Sequence, residues 1–528
     1  MSKRIGTLAA AALIGLALVV AAGAQTAEPR DQKTLAMTLE ECILKAMTNN
    51  LALAVEVLNP EQSDLAVSLA REQFLPSLSF GYTKRSTASA SYSFLDSEGT
   101  TTQARGDYSA QLSQTLPTGG TLLASLTSYN LDTNANFQTI NPRYGTTLTF
   151  NFSHPLLKGF GPRIARRSII VAQNSRDVTE LQFNKFLQDK IYEVVQDYWN
   201  LVYAIENLKV QQQSLDLARE LLEKNKRSVE IGTMAPMDVL SAEAEVAARE
   251  ADILGGQALQ KNSEDILRTV INLQGERPDA AEVRIVPSSS PASEETKVSQ
   301  DTSLQLARDN RPDMASARLD IQSKQYELTY ARNQLLPDLS LNAQYWSPGV
   351  SGTQVLYLNN NPLTGVVIGT VPGGSSASFT DTFGFKYQNW SVGLTLTLPL
   401  ATVLSRAQTA EAKVSLNQSL LSLKNQEQQL ELELSNAVRA VQTNYQRVKA
   451  YQLSRELAQR TLEAEQEKLK VGLSTNYFVL QYQRDLANQQ SLELKAIIDY
   501  NLALANLEKA EGTSLKNKNI ETTRWLGK

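Results

Sequence analysis

Two periodicities alternate along the chain, and each appears twice. Apolar residues stepping by threes and fours run through Leu187, Ile191, Val194, Tyr198, Leu201, Ile205 and Leu208. They recur through Leu434, Val438, Val441, Tyr445 and Val448. This is coiled-coil spacing. No Gly or Pro interrupts residues 163–231 or 400–471, so each stretch predicts a helical rod of about 100 Å. Elsewhere the period drops to two. Leu78, Phe80 and Tyr82 alternate with Ser77, Ser79 and Thr83. Leu148, Phe150 and Phe152 alternate with Thr147, Thr149, Asn151 and Ser153, and Val392, Leu394, Leu396 and Leu398 with Ser391, Gly393, Thr395 and Thr397. These segments predict strands with one apolar and one Ser/Thr/Asn face. That fits a barrel wall between lipid and water, and it fits a soluble sandwich equally well.

Punctuation sets the element ends. Thr38-Leu39-Glu40-Glu41 reads as a capping box opening a helix that runs to Phe74, with a break expected at Asn59-Pro60. Each rod stops at a tight turn, Ile231-Gly232-Thr233-Met234-Ala235-Pro236 or Val471-Gly472-Leu473-Ser474-Thr475-Asn476. Gly suits a helix C-terminus, Pro236 a first helical turn, and Ser474, Thr475 and Asn476 are amino-cap residues. A second helix then runs back, from Met237 past Leu254 and from Tyr477 to Glu511. Each half therefore predicts a long antiparallel helical hairpin hung beneath strands. Residues 97–103 and 349–381 read as rim loops. Tyr82, Tyr92, Tyr129, Tyr345, Trp346, Tyr387 and Trp390 are candidates for an aromatic girdle.

The two halves are copies. Glu72-Gln73-Phe74-Leu75-Pro76-Ser77-Leu78-Ser79-Phe80 returns as Asn333-Gln334-Leu335-Leu336-Pro337-Asp338-Leu339-Ser340-Leu341. Ser153-His154-Pro155-Leu156 answers Thr397-Leu398-Pro399-Leu400, and the segment ending Ile231-Gly232 answers the one ending Val471-Gly472. Three matches in one order mark a duplicated unit of roughly 250 residues, far longer than a solenoid repeat. The organisation read from this is a signal peptide over 1–24, a first repeat over 25–274, a polar linker over 275–299, a second repeat over 300–512 and a tail over 513–528. Linker and tail are expected to be irregular chain lying against the helices.

The basic start Ser2-Lys3-Arg4, the apolar run Ile5 to Ala22 and the small residues Ala22-Gly23-Ala24 form a secretory signal peptide. No later apolar run is long enough for a helical membrane span. Removing Lys3 and Arg4 from the 51 basic residues leaves 49 against 55 acidic ones, a balance that gives nucleic-acid binding no support. The sole cysteine, Cys42, follows Glu40-Glu41, a poor lipidation context, and reads as a small apolar helix residue. One histidine, His154, and one cysteine leave no material for most catalytic triads or metal clusters. No Gly-rich phosphate loop follows any strand, so the chain does not power transport itself. No cofactor is expected.

Several of these motifs together resemble the TolC family of outer-membrane efflux proteins. They are Leu39-Glu40-Glu41 with Asn49-Asn50, the paired Leu-Pro-x-Leu-Ser segments, His154-Pro155-Leu156-Leu157-Lys158-Gly159-Phe160-Gly161, and the turns at Gly232 and Gly472. The resemblance implies a mixed α and β fold with internal duplication, a homotrimer whose strands share one barrel in outer-membrane lipid, and helices forming a hollow periplasmic tunnel. It implies a passive exit duct of a tripartite efflux or type I secretion system. Its partners would be a periplasmic adaptor and an inner-membrane transporter of RND or ABC type. Two departures stand out. The acidic residue that follows each turn in the family is present as Asp238, whereas the second copy has Phe478 and Gln481, so an acidic gate built from the second copy is not expected. Tyr108–Leu116 and Thr121–Tyr129, flanking Pro117-Thr118-Gly119-Gly120, form an insert that reads as an extra hairpin above the family's two strands per half.

The candidate docking tip comprises Gly232, Thr233, Met234, Ala235, Pro236, Met237 and Asp238 with Gly472, Leu473, Ser474, Thr475, Asn476 and Tyr477. These residues are also what two plain hairpin ends would use; the apolar side chains among them favour a partner. Pro76, Pro155, Pro337 and Pro399 mark the strand–helix junctions. Two other classes remain open at this point, a periplasmic adaptor and a structural coiled-coil surface protein. An adaptor calls for one hairpin within small β-domains, and a fibre does not call for matched strand sets. The exported cargo and the class of pump are not legible in the residues.

Overall fold

The computed structural model describes residues 34–93, 96, 99–276, 283–399, 403–522 and 525. The expected signal peptide, the start of the linker, the first residues after Pro399 and the extreme C-terminus lie outside them. Strand β1 (Thr34–Met37) leads into α1 (Leu39–Asn49) through the capping box read from the sequence: Thr38 Oγ1 accepts from Glu41 N at 3.2 Å and Glu41 Oε2 from Thr38 N at 2.8 Å. The chain then breaks at Asn50, before α2 (Leu51–Glu56), and at Val57, before α3 (Leu58–Glu72). The interruption at Val57 is the one expected from Asn59-Pro60: Pro60 has no N–H to give to Glu56 O, so α2 ends at Glu56 and α3 restarts at Leu58. Pro60 then falls in the first turn of α3, where its missing N–H costs nothing. The break at Asn50 is additional to the expected one, with Asn50 leaving the helix at φ −66°, ψ 123° and capping α2 by accepting from Leu53 N.

After Pro76 comes the sheet: β2 (Ser77–Ala90), β3 (Thr100–Thr115), β4 (Thr121–Thr133) and β5 (Ile140–Pro155). The insert is thus a full hairpin. Past α4 (Pro162–Ala165), the first rod α5 (Arg167–Glu230) turns into α6 (Pro236–Val270), followed by α7 (Leu273–Glu276). Linker strand β6 (Arg284–Pro287) pairs in parallel with β1, Leu35 opposite Ile285. The second copy supplies α8 (Gln300–Asn310), α9 (Pro312–Asn333), β7 (Asp338–Tyr357), β8 (Val367–Val371), α10 (Ser376–Phe383) and β9 (Asn389–Thr397). It ends with the rod α11 (Val403–Lys470), α12 (Asn476–Glu511) and α13 (Ser514–Asn517). The α8–α9 break at Arg311, φ −73° and ψ 122°, is the duplicate of the break at Asn50.

The halves share one sheet, ordered β2-β3-β4-β5-β7, with β8 and β9 both along the far edge of β7. Directly opposite residues share a face, and register therefore sorts the side chains. One face carries Phe80, Tyr82, Tyr108, Leu126, Leu148, Phe150, Tyr345, Trp390 and Leu394, and the other Ser79, Asp107, Thr127, Thr149, Asn151, Gln344 and Thr395. Tyr129, opposite Gly145 and Asp107, and Trp346, opposite Thr149, stand on the polar face. Both leave the expected girdle; Tyr129 instead lies under the Arg105 guanidinium at 4.5 Å.

Neither expected rim loop is irregular throughout. Strand β3 already starts at Thr100, and 349–381 holds the end of β7, β8 and most of α10. Helix α10 lies on the apolar face: Thr382 Oγ1 donates to Thr146 O at 3.0 Å and Ser347 Oγ to Thr382 O at 2.9 Å. Its buried side is Ser378 and Thr382, while Phe383 stays 52% exposed. Hydroxyls inward and rings outward suit a helix packed between protein and hydrocarbon.

The rods pack as two antiparallel hairpins, and α5 also lies against α12 and α9. One core joins Phe183, Leu187, Val194 and Tyr198 to Met37, Ile43 and Ile285; its counterpart joins Leu434, Val438 and Val441 to Tyr500 and Met314. The linker is pinned at both ends by buried tyrosines. Tyr198 Oη donates to Met37 O and accepts from Ser289 N, and Tyr500 Oη donates to Glu294 O and accepts from Thr296 N. Linker and tail lie against the helices as expected but are partly regular, because β6 pairs with β1 and α13 packs on α5 and α12.

Asp197 on α5 has a buried carboxylate oxygen without a partner. Burial first, and then nearby Glu193, push its carboxyl up to about 6 against the pull of Lys190. A folded state that holds its proton more tightly than the unfolded chain loses stability as pH rises from the ordinary Asp range through about 6. Asp197→Asn should therefore raise stability at pH 7.5 by about 1 kcal/mol, discounted for partial solvent access. The gain should vanish below pH 4 (about the ordinary Asp value). Chemical denaturation of both proteins in detergent at the two pH values checks this.

Candidate functional site

Each rod is closed by the same local chemistry. Gly232 and Gly472 sit at φ 81° and 78°, the left-handed backbone that glycine adopts without strain. Gly232 N donates to Val229 O (3.0 Å) and Thr233 N to Ser228 O (2.9 Å). In the second copy Gly472 N donates to Leu469 O (3.1 Å) and Leu473 N to Lys468 O (2.9 Å). Both are Schellman closures, which satisfy the last carbonyls of the rod. The return helices start from Ala235 and Thr475, neither of which makes a side-chain cap bond. The amino-cap role expected of the second turn is therefore not what its polar residues do. Ser474 Oγ donates to Glu465 Oε1 at 2.5 Å, and Lys468 binds the other oxygen at 3.0 Å. Those two contacts hold the Glu465 carboxyl below its usual range.

The two tips touch. Asn476 is buried and its Nδ2 donates to Met234 Sδ at 2.8 Å. Further up, Arg484 of α12 pairs with Glu245 of α6, which also holds Arg249 at 2.8 Å. Val479, Leu480 and Leu486 close a small core against Leu221 of α5 and Leu462 of α11. Two hairpins distant in sequence thus form one end surface.

That surface is apolar where it faces out. Leu473 is 80% exposed, and Ile231, Met237, Val471 and Tyr477 are similarly bare, with Tyr477 edge-on to Phe478 at 5.6 Å. Thr233, Ala235 and Pro236 are exposed beside them; Met234 and Asp238 are half-buried. Asp238 is joined to the rod only through its backbone carbonyl, which accepts from Asn225 Nδ2 at 3.4 Å. The junction prolines lie at the sheet's other end. Pro76 and Pro337 immediately precede β2 and β7, Pro155 ends β5 opposite Ser340, and Pro399 follows β9. His154 bridges this rim: one ring nitrogen meets Pro155 O at 2.8 Å, the other Thr118 Oγ1 at 3.0 Å in the β3–β4 turn. Sequence reasoning missed the Asn476–Met234 contact and the Glu245–Arg484 link, because no local pattern signals a pairing across the duplication.

The family model for outer membrane efflux proteins matches residues 121–273 and 303–513. The chain belongs to the outer membrane efflux protein family. Among curated relatives, nodulation protein T of Rhizobium leguminosarum bv. trifolii is 24% identical over 350 residues, covering 66% of this chain and 67% of the relative. The outer membrane protein TolC of Vibrio cholerae serotype O1 is 24% identical over 371 residues, covering 69% and 76%. The fold is that of the outer-membrane channel OprN (TM-score 0.62, 16% identity, 90% of each chain) and of the Campylobacter jejuni CmeC outer membrane channel (TM-score 0.61, 17% identity, 92% and 90%). As a member of that family this chain is an efflux protein of the outer membrane.

Proposed function

We propose that three copies assemble into a passive exit duct, with the sheets joined into one outer-membrane barrel and the rods forming a periplasmic tunnel. The paired tips would receive a periplasmic adaptor, and energy would come from an inner-membrane transporter of RND or ABC type, in a tripartite efflux or type I secretion machine. One observation carries this reading: a sheet with one largely apolar face is joined to rods of 64 and 68 residues that end, far from it, in bare apolar turns. The sheet also has two unpaired edges, β2 and β9, among the described residues. Open edges are not tolerated in hydrocarbon, so closure needs further copies. An adaptor or a surface fibre has no use for such a wall.

The test joins assembly to transport. Extraction with detergent followed by native mass measurement should give three mature chains, and deletion of the gene should raise intracellular retention of exported dyes or secreted substrates. A monomer released without detergent would end this reading.

A further inference from the structure

We infer that the internal duplication encodes the contact between protomers strand by strand: β9 of one copy pairs with β2 of the next in the register that β5 and β7 adopt within a chain, closing a wall of eighteen strands. This rests on the trimer proposed above and adds its register and strand number.

The two unpaired edges are duplicates of the two edges already joined. Strand β7 is the copy of β2, beginning after Pro337 as β2 begins after Pro76, and β9 is the copy of β5, leading to Pro399 as β5 leads to Pro155. Inside the chain β5 descends beside ascending β7, with Ser153 opposite Asn342, Phe152 opposite Ala343 and Asn151 opposite Gln344. Placing Pro155 on Pro399 and Pro337 on Pro76 carries those pairs to Thr397–Gly81, Leu396–Tyr82 and Thr395–Thr83. Strand β9 would then lie against residues 81–89 of β2, and the direction is antiparallel, as in every other pair of this sheet.

Face parity is an independent check. A slip of one residue would turn every side chain of one strand to the wrong side. In the transferred register Leu396 meets Tyr82 on the apolar face, and Thr395 meets Thr83 on the polar face. Trp390 meets Ala88, a large side chain against a small one. Gly393 falls opposite Arg85 and has open space where a Cβ would stand, which leaves the guanidinium stem room. Lys84 comes beside Leu394 on the apolar side, a position from which its long stem can carry the ammonium toward water.

The strand number follows from the insert. Among the described residues β2, β3, β4, β5, β7 and β9 are the six that run to the junction end of the sheet, and β8 only caps the far part of β7. Three such sheets give eighteen strands. At ~4.8 Å between strands tilted by about 40°, that ring is roughly 36 Å across. Strand counts of this order leave a water-filled lumen.

The test uses cysteine pairs on the polar face, within reach of a water-soluble oxidant. The native Cys42 does not interfere, since it is fully buried and burial pushes its thiol up to about 12. Opposite residues bring their Cα atoms to about 4.5–5.5 Å, within disulfide range. The Thr83→Cys/Thr395→Cys protein, oxidised in isolated outer membranes, should run mostly as a covalent trimer on non-reducing gels. Either single variant should stay monomeric there, and the shifted pair Arg85→Cys/Thr395→Cys should cross-link at least tenfold less.

Native mass in detergent, measured on the same samples, separates the outcomes. A non-trimeric mass would sink the assembly itself. A trimeric mass with the shifted pair cross-linking best would overturn the register and leave the trimer standing. For the strand number, Leu112→Cys on β3 should react with a lipid-soluble maleimide and resist a charged one. Labelling by the charged reagent alone would put the insert in the lumen and return the wall to twelve strands.

Discussion

Phe150→Arg and Leu394→Arg should abolish assembly, whereas Thr149→Arg and Thr395→Arg, one residue away, should leave trimers in the outer membrane. The four positions differ only in the face they occupy. Phe150 stands between Ala124 and Tyr345 on the apolar face, and Leu394 stands opposite Leu341 on the same face; they are 41% and 67% exposed. Thr149 and Thr395 point to the side lined by Ser125, Trp346 and Ser340. An arginine in hydrocarbon near mid-bilayer costs roughly 2–4 kcal/mol, and one in a water-filled lumen costs little. Three copies multiply the penalty. The measurement is the amount of heat-modifiable trimer in outer-membrane fractions, at matched expression. Equal tolerance on both faces would mean that these strands do not cross a membrane.

What made these faces legible was their alternation, and the same holds for the rods. An unbroken stepping of apolar residues without Gly or Pro needs no tertiary information to predict a helix. The turns were equally local, since Gly232 and Gly472 close the rods by backbone geometry alone. Strand β1 and its partner β6 were not legible: four residues are too few to show a period, and their parallel pairing spans most of a repeat. Helix α10 was hidden for the opposite reason. It buries Ser378 and Thr382 and exposes Phe383, so a reading that expects apolar residues inside sees only a Ser/Thr-rich loop. The interruption ahead of Pro60 was legible from the proline alone, but the second break was not, because Asn50 both ends one segment and caps the next without any Pro or Gly to mark it. At the tip, composition indicated an exposed apolar end. It could not indicate that Asn476 reaches Met234 across the duplication and welds two turns into one surface.

That surface is where loss of function without loss of structure is expected. Gly472→Val should cut export at least tenfold while the trimer still reaches the outer membrane. The left-handed backbone at Gly472, φ 78°, costs a β-branched residue about 1–2 kcal/mol. No atom lies within 4 Å of the site a Cβ would take, so the effect is on turn geometry and not on packing. Leu473→Asp tests the surface without bending it, because that side chain is the most exposed large apolar group of the second turn. It should lower export comparably, by placing a carboxylate where a partner's apolar contact is expected. Met234→Asp should be more severe, since Met234 also holds Asn476 and its loss removes the contact between the two turns themselves. Thr475, exposed and free of side-chain capping, is the position for a photo-cross-linker. It should capture the adaptor in the parent protein and lose it in the Leu473→Asp variant. Normal export by Leu473→Asp, together with an undiminished cross-link, would reduce these turns to simple hairpin ends and move the docking surface up the rods.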